Sequence, residues 1–167
     1  MKNIRVLVLD VDGVLTDSRI YYTDEGSEIK AFNSKDGHGL KLLMKAGIEV
    51  ALITGRTSRA LEHRAEDLGV RHVMQGAKDK RSALKELSGI LGIPPEDMAY
   101  MGDDVVDLPA MALCGTSFAP ADAVDMVKER VDIVTSLPGG TGAVREAVEI
   151  VLKNLDLFDD VMKRYVD

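Results

Sequence analysis

Several residue types are scarce or missing in this chain of 167 residues, and each scarcity excludes a class of protein. Tryptophan is absent and aromatic residues make up only 4% of the chain, so the core must be aliphatic. The one cysteine, Cys114, cannot form an internal disulfide, which agrees with a reducing cytoplasm. No apolar run approaches the length of a membrane span, and Asp10 interrupts the first one too early for a signal-peptide core. We therefore expect a cytoplasmic protein with no membrane partner.

Basic residues are also outnumbered, and the formal net charge is −7. This balance argues against nucleic acid as a partner. It would also oppose the long-range attraction of an anionic substrate, which would then need a local cluster of lysine and arginine. The length and the hydrophobic content of 46% are those of one globular domain spanning 1–167.

Strand-like and helix-like segments alternate along the chain, which predicts an α/β fold: a three-layer, Rossmann-like parallel sheet with helices on both faces. The predicted strands are 4–9, 48–53, 71–74, 98–101, 116–119 and 131–134, and the predicted helices are about 36–46, 58–68, 79–91, 106–113, 122–129 and 143–154. Two β-prone runs within about 19–32 predict a β-hairpin inserted after the first strand. The tail, about 155–167, mixes apolar and charged residues and is left open between a mobile segment and a docked one.

Two carboxylates, Asp10 and Asp12, follow the first buried strand, and Gly13 allows a sharp turn after them. Carboxylates this close repel each other, and a divalent cation relieves the repulsion. A metal beside a carboxylate nucleophile suggests phosphoryl chemistry. An ordinary turn is the plain alternative, and a calcium loop is disfavoured because Tyr21 stands where the closing glutamate should be.

Further polar residues follow later strands, and together they supply what a phosphoryl-transfer site needs. These residues are Thr54, Lys80, and the pair Asp103 and Asp104, with Asp107 close behind. Each also has a plain structural alternative. Thr54 could cap a helix, Lys80 could be a solvated charge, and the aspartates could stabilise a helix start.

In this order the motifs resemble the haloacid dehalogenase superfamily of phosphatases: Asp10-Val11-Asp12-Gly13-Val14, Thr54-Gly55-Arg56, Lys80, and Gly102-Asp103-Asp104 with Asp107. The resemblance implies that Asp10 attacks phosphorus and that Asp12 is the general acid and base. Thr54 and Lys80 would bind the phosphate. Mg²⁺ would be held by Asp10, the backbone carbonyl of Asp12, and Asp103, with Asp104 and Asp107 behind them. Transport ATPases of the superfamily carry threonine at the position of Asp12, so aspartate favours a hydrolase.

The spacing between the motifs leaves no room for the cap domain of larger superfamily members. Only 44 positions separate Asp10 from Thr54, and 26 separate Thr54 from Lys80. We therefore expect a capless phosphatase.

Within the capless branch, the segments 32–39 and 138–146 are similar to those of phosphatases acting on 3-deoxy-D-manno-octulosonate 8-phosphate (KDO 8-phosphate). That likeness implies these substrate-binding residues: Asp12, Asn33, Ser34, Lys35, Asp36, Gly37, Lys41, Arg56, Arg64 and Lys80. Lys35 and Lys41 stand where many relatives carry arginine, and His38 stands where tyrosine is frequent. A lysine offers a point charge in place of the bidentate fork of arginine. The 9-phosphate of the nine-carbon acid KDN is the alternative substrate, but its enzymes tend to carry glutamate at the position of Arg56.

A receiver-like signalling module that accepts phosphate on an aspartate is a hypothesis from a different class. The hairpin insertion and the acidic pair 103–104 have no place in such a module.

The hairpin at 19–32 also predicts an assembly, because its free edges carry apolar side chains that a monomer would expose. The resembled family pairs such hairpins, so we expect a homotetramer with active sites at subunit interfaces. Arg64 and the C-terminal tail are the candidates to reach a neighbouring site.

Overall fold

A computed structural model describes residues 3–166 of the chain, and its centre is a sheet of six parallel strands. The strands of this sheet are β1 (Val6–Leu9), β4 (Glu49–Ile53), β5 (His72–Met74), β6 (Met98–Met101), β7 (Thr116–Ala119) and β8 (Ile133–Val134). Their order is β5-β4-β1-β6-β7-β8. The first strand therefore lies between β4 and β6, with Val6 in register with Glu49 and Met98. All four β1 residues are buried, as expected of an apolar strand covered on both faces.

Within residues 3–166, seven α-helices cover the two faces of the sheet: α1 (Ser34–Lys45), α2 (Arg59–Leu68), α3 (Lys80–Leu91), α4 (Leu108–Met111), α5 (Asp125–Lys128), α6 (Ala143–Asn154) and α7 (Phe158–Val166). Successive strand side chains point to opposite faces, so Leu7 and Leu9 join one core and Val6 and Val8 the other. The first core includes residues of α1, α2, α6 and α7, and the second includes residues of α3, α4 and α5. The predicted three-layer α/β fold is confirmed.

The predicted hairpin is present, although its strands are only two residues long. Strand β2 (Tyr21–Tyr22) pairs antiparallel with β3 (Glu28–Ile29), and the pair forms a sheet of its own. Apart from this hairpin, residues 3–166 contain no insertion between the motifs that could act as a cap. Ile20, Tyr21, Tyr22 and Ile29 are exposed, so the apolar edge inferred from the sequence remains uncovered in the single chain.

The largest difference from the sequence prediction lies in the tail, where residues 158–166 form a helix. Val161 of α7 is buried in the first core, and the Tyr165 ring meets the His38 ring edge-on with centroids 5.6 Å apart. The tail thus docks on its own domain, since its apolar residues recur at a helical spacing that the mixed composition hides. Two other helices, α4 and α5, are shorter than predicted. None of the helices described between residues 3 and 166 is long and apolar enough to cross a membrane.

Candidate active site

A pocket lies where the polar residues following β1, β4 and β6 meet at the carboxyl edge of the sheet. Its lining residues are Asp10, Asp12, Ser18, Thr54, Gly55, Arg56, Ala77, Lys78, Lys80, Asp103, Asp104 and Val106. Parallel strands bring their carboxyl ends to one edge, which is why motifs far apart in the sequence converge here. All four motifs named from the sequence contribute to this one pocket.

Asp10 is held at the end of β1 by backbone pairing, because its N–H donates to the carbonyl of Met101 over 3.0 Å. The Nζ atom of Lys80 lies 2.8 Å from its Oδ1. Burial and the negative charge of Asp107 raise the pKa of Asp10 to about 6, against the opposing effect of Lys80. Asp10 is therefore a buried carboxylate that gains from a nearby positive charge.

Lys80 begins α3, and its side chain is only 4% exposed, so the solvated-charge alternative does not hold. Besides Asp10, its Nζ donates to Asp107 Oδ1 over 2.6 Å. Burial opposes the charged ammonium, but Asp10 and Asp107 outweigh it and raise the pKa of Lys80. Lys80 therefore stays protonated and joins the nucleophile candidate to a second carboxylate.

Asp107 does not face the pocket but supports it from below. Its Oδ1 also accepts a hydrogen bond from the Tyr100 hydroxyl over 3.0 Å. Its Oδ2 accepts from the backbone N–H groups of Asp103 and Asp104, over 3.3 and 3.4 Å. Because one carboxylate bonds both the loop and Lys80, it fixes their relative position, and its role behind the metal ligands stays a prediction.

Three carboxylates offer oxygens within 4.8 Å of one another, those of Asp10, Asp103 and Asp107. Burial and the charges of the other aspartates raise the pKa of Asp103 to about 7, with Lys80 opposing the shift. Crowded carboxylates with raised pKa values are those that a divalent cation would stabilise in the ionised form. Both oxygens of Asp107 accept hydrogen bonds from protein groups, whereas Asp10 and Asp103 line the pocket and could hold a metal there.

The loop after β1 approaches this pair of aspartates closely at Gly13. This glycine has φ +91°, and a side chain there would meet Asp103 Oδ2 at 1.9 Å. A second loop packs against the same turn, with the N–H of Gly140 donating to the carbonyl of Val14. Glycine at position 13 therefore serves both the backbone turn and the space around Asp103.

Asp12 lies at the pocket wall facing the hairpin, where four residues form a charged group that we call the hairpin quartet: Asp12, Glu28, Lys30 and Arg56. The Lys30 ammonium donates to Asp12 Oδ1 and lies 2.9 Å from Glu28 Oε1. Glu28 Oε2 in turn accepts from Arg56 Nη2, which also donates to the Tyr22 hydroxyl over 3.0 Å. Burial disfavours the Glu28 carboxylate, yet the hydrogen bonds from Arg56 and Lys30 lower its pKa to about 2.

The sequence did not identify Lys30, Glu28 or Ser18 as site residues. A signal for the first two existed, because residues two apart on a strand share a face and therefore reach the same surroundings. Ser18 lines the pocket with a left-handed backbone, φ +66°, which no sequence pattern indicates for a serine. Thr54, by contrast, is found buried in the pocket where its motif predicted.

The other substrate-binding candidates do not line this pocket within the chain. Asn33, Ser34, Lys35, Asp36, Gly37, Lys41 and Arg64 form or face the first turns of α1 instead. Arg64 donates to the carbonyl of Asn33 over 3.2 Å, and its guanidinium lies 5.7 Å from the centre of the Phe32 ring. Gly37 provides space for this arginine, since a Cβ there would lie 2.2 Å from Arg64 Nη2.

Two of these candidates have clear structural partners. The Asn33 side chain caps α1 by accepting from the backbone N–H groups of Lys35 and Asp36. The Asp36 carboxylate is buried and accepts from the N–H groups of Gly142 and Arg145, over 3.2 and 2.8 Å. Asp36 thus joins the starts of α1 and α6, and its part in substrate binding stays a prediction.

Comparison with known proteins shows which family this chain is similar to. The family model for haloacid dehalogenase-like hydrolases matches residues 25–115. The curated 3-deoxy-D-manno-octulosonate 8-phosphate phosphatase KdsC of Yersinia pestis is 47% identical over 150 residues, which is 90% of this chain and 80% of that protein.

Solved structures agree with the curated relatives. The phosphatase of that name from Moraxella catarrhalis, in complex with magnesium, phosphate and KDO, is 41% identical, with a TM-score of 0.95 over 98% of this chain and 94% of its own. A cobalt-bound form of the Haemophilus influenzae enzyme is 46% identical, with a TM-score of 0.91 over 94% of this chain and 92% of its own.

Proposed function

Because this chain belongs to the family of haloacid dehalogenase-like hydrolases, we propose that it hydrolyses KDO 8-phosphate to KDO and phosphate with Mg²⁺ as cofactor. The observation that carries the proposal is the buried Asp10 beside Lys80 and Asp103 at the base of the pocket. The Moraxella catarrhalis relative, in complex with magnesium, phosphate and KDO, supports both the substrate and the metal.

The first half of the reaction uses Asp10 as the nucleophile. One of its oxygens forms a bond to phosphorus, and the ester bond from phosphorus to the sugar oxygen breaks. Asp12 gives its proton to that leaving oxygen, so an alcohol departs and an aspartyl-phosphate remains. Lys80 and Thr54 bind the phosphoryl oxygens, and the positive charge of Lys80 offsets the charge that gathers around phosphorus.

The second half releases phosphate and restores both aspartates. Asp12, now ionised, takes a proton from a water molecule whose oxygen bonds to phosphorus. The bond from phosphorus to Asp10 then breaks, which regenerates the carboxylate and frees inorganic phosphate. Bound Mg²⁺, held by Asp10, the carbonyl of Asp12, and Asp103, would supply Lewis-acid stabilisation of the phosphoryl charge.

Recognition of the sugar acid rests on a local positive charge in an acidic protein. Arg56 is the arginine of the pocket wall and remains 39% exposed, so a substrate carboxylate can reach its guanidinium. The residues around α1 lie outside the pocket of their own chain, which fits a role at a neighbouring subunit's site. We place the enzyme in the cytoplasm as a homotetramer, with the exposed apolar hairpin edges paired between subunits.

A panel of phosphate esters with Mg²⁺ tests the proposal directly. We expect KDO 8-phosphate to give a higher kcat/KM than KDN 9-phosphate and than an aryl phosphate. The Asp10→Asn variant should fold and bind substrate but lose turnover, because the nearly isosteric amide is a far weaker nucleophile. Near-normal turnover by Asp10→Asn, or a clear preference for KDN 9-phosphate, would contradict the mechanism or the substrate respectively.

A further inference from the structure

The hairpin quartet contains an ammonium group that the reaction as described does not use. The side chain of Lys30 is 4% exposed, although it comes from a short hairpin at the surface. Its Nζ binds Asp12 Oδ1 on one side and faces Glu28 Oε1 at 2.9 Å on the other. Burying a lysine without partners is costly, so both carboxylates are needed to hold this charge in place.

This arrangement distinguishes the two oxygens of Asp12. Oδ1 is bound by Lys30, whereas Arg56 Nε lies 3.8 Å from Oδ2, beyond hydrogen-bond distance. The Asp12 side chain is 20% exposed and lines the pocket, so Oδ2 is the oxygen available there. Without the contact from Lys30, the Asp12 carboxyl group would be free to rotate about its Cβ–Cγ bond.

We propose that Lys30 is a positioning residue that fixes the Asp12 carboxylate so that Oδ2 carries the proton in both halves of the reaction. The inference rests on the proposed phosphatase function and extends it to a residue of the hairpin. Glu28 completes the device, because it holds Lys30 against Asp12 and joins Arg56 to the same group. A hairpin that lies outside the main sheet thereby determines the geometry of the general acid and base.

The two half-reactions give this role a specific signature. An aryl phosphate has a good leaving group, so formation of the aspartyl-phosphate hardly depends on a proton from Asp12. Its hydrolysis still needs Asp12 to accept a proton from water at Oδ2. Misplacement of Asp12 should therefore slow the second half more than the first, and the covalent intermediate should accumulate.

The experiment compares wild type with Lys30→Met, which keeps a long side chain but removes the ammonium. We expect kcat for an aryl phosphate to fall by about tenfold to hundredfold. KM should fall with it and kcat/KM should change little, because only the step after formation of the aspartyl-phosphate is slowed. Acid quenching during turnover of a radiolabelled aryl phosphate should trap a larger fraction of phosphoenzyme than in wild type. With KDO 8-phosphate both halves need Asp12, so kcat should fall further while the trapped fraction rises less.

Two further variants keep the test decisive. Lys30→Met combined with Glu28→Gln preserves the net charge of the quartet and should show the same accumulation, even if the single variant folds poorly. Lys85→Met, on an exposed position of α3, should match wild type. An unchanged kcat, or a fall without accumulated phosphoenzyme, would overturn the assignment of Lys30. Absence of turnover in wild type would instead contradict the proposed function.

Discussion

Replacing Gly13 with alanine should weaken Mg²⁺ binding, and this effect can be measured apart from the effect on the free energy of unfolding. The new Cβ would lie 1.9 Å from Asp103 Oδ2, whereas a Cβ is essentially never found within 3.0 Å of such an atom. The Asp103 oxygen must then move by about 1 Å, although metal–ligand distances tolerate only about 0.2 Å. Removing a group that holds a metal ligand in place typically weakens metal binding about tenfold to hundredfold, and displacing the ligand itself should cost no less. We therefore expect Mg²⁺ to bind at least that much more weakly.

The same substitution also strains the backbone, and the resulting loss in the free energy of unfolding needs its own control. Gly13 has φ +91°, and a left-handed backbone costs a residue with a side chain roughly 1–2 kcal/mol. Gly47 is the matched control, because its φ is +85° and an added Cβ would meet nothing within 4 Å. Gly47→Ala should therefore lose a similar free energy of unfolding while binding Mg²⁺ as tightly as wild type.

The assay is titration calorimetry with Mg²⁺ together with urea unfolding of both alanine variants. Wild-type Mg²⁺ affinity in Gly13→Ala would refute the placement of the metal between Asp10 and Asp103. An equal loss of Mg²⁺ affinity in Gly47→Ala would show that strain, rather than the collision with Asp103, is responsible.

Three further outcomes test the site. Asp12→Asn should slow both halves of the reaction and leave phosphoenzyme after acid quenching; a wild-type rate would exclude Asp12 as acid and base. Arg56→Ala should raise KM for KDO 8-phosphate about tenfold to hundredfold but leave an aryl phosphate nearly unaffected, since a charge-assisted hydrogen bond is worth about 1.5–3 kcal/mol; equal losses would assign Arg56 to the phosphate or the fold. Finally, the pKa values of about 7 for Asp103 and about 6 for Asp10 lie above the ordinary 3.8. Without metal, the protonated carboxyl groups therefore stabilise the folded state at low pH. This stabilisation is lost as the pH rises through those two pKa values. Mg²⁺ binds the ionised forms, so its stabilising shift in Tm should grow from about pH 5.5 to about pH 8, and a shift independent of pH would contradict the reasoning.

The elements that the sequence predicted well are those in which local pattern and burial agree. Val6–Leu9 is a continuous apolar run, and the structure buries all of it. The helix after Asp79 was predicted from residue 79 and begins at Lys80, because the Asp79 side chain caps it through the N–H of Ser82. The tail was harder to interpret, because α7 depends on docking against the first core rather than on a strong local signal.

The catalytic candidates followed from the sequence because each stands directly after a strand or opens a helix. Asp10, Thr54 and Asp103 follow β1, β4 and β6, and parallel strands bring such positions to one edge whatever separates them in the chain. The candidates around α1 had no such rule to locate them. Their position outside the pocket depends on how the helix packs, which the segment 33–37 does not encode by itself.

The amino-acid sequence by itself determined the α/β class, the hydrolase family and the order of the four motifs along the sheet edge. Each of these depends on local periodicity or on residue types at strand ends, which neighbouring residues specify. Only the tertiary structure decided which charges meet. Lys30 reaches Asp12 across 18 positions and Lys80 reaches Asp107 across 27, and the burial that makes these contacts strong exists only after the chain has folded.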